Sequence, residues 1–199
     1  MKFEKDSIRL MIWNILSEKG ISYPDCKGRI PDFKGSDIAA DRLKLTNEWK
    51  SSKTIFVSPD TAQIKVRENV LTDGKILIMA SPKMLNGFLI LNPSDVSGNE
   101  IEASTINGAF KYGKRIDTLP NVDMVVEGSV AVDKYGGRLG KGRGYGDMEI
   151  DILMKQGSIG ENTPIVSTVH ELQIIDKIPM EKHDENINMI VTPERIMRT

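Results

Sequence analysis

The chain has 199 residues, 39% of them apolar, and its 27 basic and 28 acidic side chains leave a formal net charge of -1. That apolar share can build one sizeable core, so a single domain over 1–199 is expected; the charge balance provides no global field toward DNA, RNA or an anionic bilayer, so any polyanion site must be local and no nucleic-acid partner is expected. The single cysteine, Cys26, excludes an internal disulfide, the charged start MKFEKDSIRLMIW lacks the apolar stretch of a secretory signal, and no segment is long enough to span a membrane, which together point to a cytoplasmic protein.

Residues 5–19 place Ile8, Met11, Ile12, Ile15 and Leu16 on one face at helical spacing, with Gly20 where a C-terminal cap belongs. Lys5 and Arg9 stand four apart on this helix and could grip one anion together; a solvated face is the alternative. Tyr23-Pro24 through Pro31 reads as a loop, after which Ser36 is placed to cap a second helix carrying Ile38, Leu43, Leu45 and Trp49. Alternation then becomes regular: a strand over 54–58, a helix over 61–71 closing near Gly74, and a strand over 75–80 that meets the break at Pro82. Residues 87–91 read as extended, 100–112 as a helix, and 122–132 as one apolar strand. A helix over 145–155, a strand over 165–169 and a last strand over 187–191 complete the pattern. Strands alternating with helices predict one α/β fold, a mostly parallel sheet flanked by helices on both sides.

The most informative segment runs from Asp133 to Asp147, between a strand and a helix. Six glycines free its backbone to approach an anion closely, while Lys134, Arg138, Lys141 and Arg143 concentrate positive charge. A phosphate cradle from Gly136 to Gly144 follows, although no Lys-Ser or Lys-Thr pair makes it a Walker A loop and the dinucleotide fingerprint is not met. A glycine-rich surface hairpin is the competing reading. Asp147 adds a carboxylate suited to a magnesium ion that bridges protein and phosphate oxygens. In an open parallel sheet, loops beyond one strand end share a crevice, so Asp184, in the polar run 179–186, could meet Asp147 there. A solvated turn is its bland reading. His170 and His183 match no common zinc spacing.

Taken together, Lys5-x-x-x-Arg9, the loop Gly137-Arg138-Leu139-Gly140-Lys141-Gly142-Arg143-Gly144-Tyr145, and Ile178-Pro179 followed by His183-Asp184 and Val191-Thr192 resemble the 5-formyltetrahydrofolate cyclo-ligase family. The resemblance implies a ribose-5-phosphate isomerase and CoA-transferase type of α/β fold, with ATP and Mg²⁺ as cofactors and a reduced folate or pterin as the small-molecule substrate. It also implies the reaction: the formyl oxygen of 5-formyltetrahydrofolate attacks the γ-phosphate of ATP, and N10 then displaces the phosphate to give 5,10-methenyltetrahydrofolate, ADP and phosphate. Such phosphoryl transfer asks the protein mainly for positioning and charge neutralisation.

Carried over by motif, Lys5 and Arg9 would hold phosphates, and Gly137, Arg138, Leu139, Gly140, Lys141, Gly142 and Gly144 would wrap the nucleotide. Arg138, Lys141 and Tyr145 would serve the reaction, Tyr145 and Asp60 would contact the substrate, and Asp147 and Asp184 would hold the metal. Two departures stand out. The family's loop usually ends Gly-Tyr-Tyr-Asp-Arg, whereas here Gly146 and Met148 flank Asp147; and a folate-contacting glutamate of the family falls near Asp60, one methylene shorter. The loop with Gly146 and the ending Thr168-Val169-His170-Glu171-Leu172-Gln173 resemble a divergent branch, the methenyltetrahydrofolate synthetase domain-containing proteins. Three readings follow: a cyclo-ligase, an ATP-dependent enzyme that activates another small carbonyl or amide compound, or a non-catalytic nucleotide- or RNA-associated module. Either a monomer or a homodimer is compatible with all three.

Overall fold

A computed structural model of the chain describes residues 2–23 and 26–199; Pro24, assigned to a loop from the sequence, lies outside them. The helices are α1 (Lys2–Glu18), α2 (Ser36–Leu43), α3 (Asn47–Ser51), α4 (Ile64–Thr72), α5 (Pro93–Val96), α6 (Glu100–Ala103), α7 (Ile106–Tyr112) and α8 (Tyr145–Lys155). The strands are β1 (Thr54–Val57), β2 (Ile76–Ala80), β3 (Phe88–Leu91), β4 (Lys114–Ile116), β5 (Met124–Val126), β6 (Ala131–Asp133), β7 (Arg138–Leu139), β8 (Ile165–Thr168), β9 (Ile174–Ile175), β10 (Met189–Val191) and β11 (Ile196–Arg198).

Eight strands form one sheet in the order β11-β10-β8-β5-β1-β2-β3-β4. Its centre, from β10 to β2, is parallel, and antiparallel strands close both edges. The central strands are buried on both faces, as the apolar runs of β1 and β5 require, and β8 is buried to the same extent although it ends in Ser167 and Thr168. One apolar cluster packs Trp49, Val66, Val70 and Leu71 against one face, and a second packs Ile150 and Leu153 of α8 against the other. The expected mostly parallel sheet with helices on both sides is therefore present.

Several boundaries differ from the sequence reading for identifiable reasons. The run 122–132 is two strands in two sheets: β5 belongs to the large sheet, and β6 pairs with β7 and β9 in a three-stranded one. Glu127, Gly128 and Ser129 lie between them, where polar side chains and a close backbone approach end the first pairing. The helix expected over 100–112 breaks between α6 and α7 because Thr105 caps a new start, its hydroxyl accepting from Gly108 N at 3.0 Å. The helix expected to reach Trp49 likewise restarts at α3, capped by Thr46. Ser36 is the first residue of α2 rather than its cap, and its hydroxyl donates to Asp32. The strand expected last is followed by β11, which pairs antiparallel with β10. In α1, Met11 is 50% exposed, whereas Trp13 joins Ile12 and Leu16 in a third apolar cluster. Gly20 ends α1 as expected, at φ 62°, with Ile21 N donating to Leu16 O at 2.8 Å.

Candidate functional site

The glycine segment is two structures, not one loop. Gly136 and Gly137 form the turn of the β6-β7 hairpin, and the Asp133 carboxylate accepts from Tyr135 N at 2.8 Å and Gly137 N at 2.9 Å. A Cβ at Gly137 would lie 2.4 Å from Asp133 Oδ2, so its bare backbone serves the turn. The hairpin reading thus holds for this first half. Leu139 is buried in the cluster that holds α1, and neither it nor Gly137 lines a cleft. The second half, 140–144, leaves β7 and enters α8; Gly142 and Gly144 have φ of 91° and 71°, a left-handed region that other residues rarely adopt. The first-turn N–H groups of α8 beyond this loop lack intrahelical acceptors.

Two clefts flank the 140–147 segment, and Gly144 and Asp147 line both. The first, about 540 Å³, is bordered by Asp60, Glu127, Arg138, Lys141, Tyr145 and Glu149. The second, about 800 Å³, contains Lys5, Arg9, Asp184 and the carboxylate side of α8. Asp60 and Glu127 follow the C-terminal ends of β1 and β5, neighbouring parallel strands, which is where open α/β sheets collect ligands.

Four of the predicted cations, Lys5, Arg9, Arg138 and Lys141, already have carboxylate or carbonyl partners. Lys141 Nζ donates to Asp60 Oδ1 at 2.8 Å. Arg138, whose side chain is 2% exposed, pairs with Asp147 and donates to Gly128 O at 3.3 Å. Burial opposes the charge on Arg138, yet the carboxylates of Asp147 and Glu127 hold its pKa above the ordinary value. Arg9 donates to Gly140 O at 2.8 Å and underlies Gly142, where a Cβ would sit 3.4 Å from the guanidinium carbon. Lys5 reaches Glu181 at 2.8 Å and Asp184 at 2.5 Å. Burial works against the Asp184 carboxylate, but the bonds from Lys5 and Glu181 N keep its pKa below the usual range. Lys5 and Arg9 are thus buried residues that tie α1 to the loop and to the 181–184 turn, not a solvated face.

Asp147 and Asp184 both border the second cleft. Asp147 accepts Arg138 and Glu185 N through one oxygen, and Asp184 accepts Lys5 and Glu181 N through one oxygen. Their remaining oxygens suit a hard cation that keeps water and phosphate among its ligands. Among the described residues, the only cluster of three ligand types is Glu181, His183 and Asp184, which Lys5 already neutralises in part and which does not include Asp147.

Reading the sequence missed Glu127 and Glu149, which lie 2% and 3% exposed at the floor of the first cleft. Burial, then the neighbouring Glu149 carboxyl, raises the Glu127 pKa well above the ordinary value. Burial, then the Asp60 charge, pushes Glu149 up to about 8. An acid in the middle of the mostly apolar run 122–132 was the available signal for Glu127; for Glu149 it was an acid on the helix face that also carries Ile150 and Leu153. Gly146 explains how the pair fits: a Cβ there would lie 2.9 Å from Arg138 Nη1 and 3.0 Å from Glu127 Oε2. The space opened by the missing side chain is filled by the guanidinium and the carboxyl.

A model of the 5-formyltetrahydrofolate cyclo-ligase family matches residues 1–193, and the chain belongs to that family. It is 35% identical over 205 residues to the methenyltetrahydrofolate synthase domain-containing protein of Bos taurus, covering 98% of this chain and 54% of that protein. The chain therefore spans about half the length of the curated relatives it matches across its whole length. Identity to the 5-formyltetrahydrofolate cyclo-ligase of Escherichia coli is 33% over 82 residues, 40% of this chain and 42% of that one. The NMR structure of 5,10-methenyltetrahydrofolate synthetase from Aquifex aeolicus shares the fold, with a TM-score of 0.61, 21% identity and coverage of 98% and 92%. No helix among the described residues is long and apolar enough to cross a membrane.

Proposed function

We propose that the chain is an ATP- and Mg²⁺-dependent cyclo-ligase that converts 5-formyltetrahydrofolate, or a related reduced pterin, to the 5,10-methenyl product with ADP and phosphate. The observation that carries this reading is the position of 140–147 between two clefts, cationic and glycine-rich on its exposed rim. On this reading the first-turn amides of α8, Lys141 and Arg143 neutralise the transferring phosphoryl group, the main demand of such chemistry. Lys5 and Arg9 hold phosphate oxygens in the second cleft by exchanging carboxylate and carbonyl partners for them. Arg138 acts beneath the site, fixing Asp147 in direction and charge. Asp147 and Asp184 would hold magnesium, which supplies further charge neutralisation when bound. Tyr145 and Asp60 border the acceptor side.

One observation favours a second reading, an ATP-dependent enzyme that activates a different small carbonyl or amide compound: the Gly146 space is occupied by Arg138 and Glu127, which reshapes the acceptor side. Incubation with ATP, Mg²⁺ and 5-formyltetrahydrofolate, followed through methenyl absorbance, separates the two. Lys141→Ala and Asp147→Asn are expected to lower that rate at least ~100-fold, in line with loss of a charge-stabilising group, with circular dichroism unchanged. Undiminished turnover in both variants rejects the site assignment.

A further inference from the structure

The chain contains two asparagine-glycine pairs, Asn86-Gly87 and Asn107-Gly108. In such a pair the glycine amide nitrogen can attack the preceding carboxamide, because glycine carries no Cβ to block the approach. The fold treats the two pairs oppositely. Asn107 and Gly108 lie in the first turn of α7, where Gly108 N donates to Thr105 Oγ1 at 3.0 Å. Gly108 is buried, and a Cβ there would stand 1.8 Å from Glu102 O, so the backbone around this nitrogen has no room to move. Asn86 lies in the turn between β2 and β3, with its side chain exposed. Gly87 N donates only to Met84 O, at 3.3 Å, long for an amide donor. Gly87 has a φ of 65°, and Lys83 and Met84, at 57° and 58°, are consecutive non-glycine residues in the left-handed region, so the turn is held against its backbone preference. Arg115 of β4 faces it: a Cβ built at Gly87 would lie 3.9 Å from Arg115 Nε, and that guanidinium comes no nearer than 4.0 Å to Asp117. A positive charge beside an amide eases loss of its proton, the step that makes the nitrogen a nucleophile.

We propose that the fold selects Asn86 as a site of spontaneous deamidation and shields Asn107. Gly87 N, on losing its proton, bonds to Asn86 Cγ; the bond from Cγ to the side-chain nitrogen breaks, and that nitrogen takes up the proton and leaves as ammonia. Water then opens the resulting cyclic succinimide at either carbonyl, which yields aspartate or isoaspartate without an oxidant or a reductant. Both products place a carboxylate at position 86, and isoaspartate also lengthens the backbone by one methylene, which relaxes a strained turn. Pro82 and Lys83 of the same turn border the first cleft, so the new charge falls on its rim.

The test ages the whole chain in mildly alkaline buffer, folded in one sample and unfolded in urea in the other, and follows the mass change from amide to acid at each asparagine. Trypsin releases both sites in one peptide, residues 84–111, so fragmentation compares them in the same molecules. In the folded chain Asn86 is expected to convert about tenfold or more faster than Asn107, and in urea the two rates should agree within about twofold, since only the fold distinguishes them. Folded-state rates that differ by less than about threefold, or a faster Asn107, overturn the proposal. A gap of about tenfold that persists in urea overturns it too, because flanking sequence would then be the cause. So does a folded chain in which neither site converts over the time that the unfolded chain needs to convert both.

Discussion

Replacing Glu149 with Gln is expected to flatten the pH dependence of stability between about pH 5 and pH 8. Glu149 is 3% exposed, and the charged groups that face it are Glu127 after β5, Asp60 after β1, and Arg138 and Lys141 from β7 and the loop that follows. In the unfolded chain it ionises near 4.5; in the folded chain burial and the Asp60 charge hold its proton to about 8. Between those values the folded state binds the extra proton, so stability is greatest below 4.5 and falls as pH rises toward 8. At about 1.4 kcal/mol per pH unit, that window carries on the order of 5 kcal/mol, most of it lost by pH 7. Gln does not ionise in either state, and its amide can still donate to Glu127. The variant should therefore exceed the parent at pH 8 by about 2 kcal/mol after the amide's own burial cost, or roughly 4 to 8 °C in Tm for a chain of this size. Urea melts followed by tryptophan fluorescence at pH 5, 6, 7 and 8 measure this, since Trp13 and Trp49 are both buried. Parallel pH profiles for parent and variant would refute the reasoning.

Gly146→Ala sets two effects against each other. Its backbone is not left-handed and helix propensity favours alanine by about 1 kcal/mol, but the new Cβ would stand 2.9 Å from Arg138 Nη1 and 3.0 Å from Glu127 Oε2. Because that guanidinium is pinned by Asp147, overpacking wins: a net loss of about 1 to 2 kcal/mol in a thermal melt is expected, and a stabilised variant would contradict it. Arg67→Met removes a fully buried guanidinium that donates to Ser104 O at 2.7 Å, Ser58 O at 2.5 Å and Asp60 O at 3.0 Å. Burial lowers its pKa to about 10, so the charged form is retained at neutral pH. Two buried carbonyls and the half-buried Asp60 carbonyl lose their donor together, and a loss of about 3 kcal/mol or more in urea melts is expected, along with weaker substrate saturation because Asp60 loses its anchor.

Much of the fold was legible because apolar runs bounded by breakers report directly on buried parallel strands: β1, β2 and β8 fall where the pattern places them. The run 122–132 was not separable, because an apolar strand that changes sheets looks like one that continues. Local polar caps, Thr46 and Thr105, ended helices that periodicity alone extends. The loop residues 140–147 were readable from glycine and cation density; that Gly136 and Gly137 belong to a hairpin depends on the Asp133 carboxylate turning back onto the Tyr135 and Gly137 amides.

The sequence by itself determined the class of protein and the segment that holds its chemistry, since alternating apolar runs and a glycine-cation loop are local properties of the chain. Tertiary structure decided which charges meet. Lys5 with Asp184, Lys141 with Asp60, Arg138 with Asp147, and the shared floor of Glu127 and Glu149 join positions far apart in the chain or on different elements. The physical reason is that a charge's partner and its desolvation depend on distance and burial in three dimensions, neither of which spacing along the chain records.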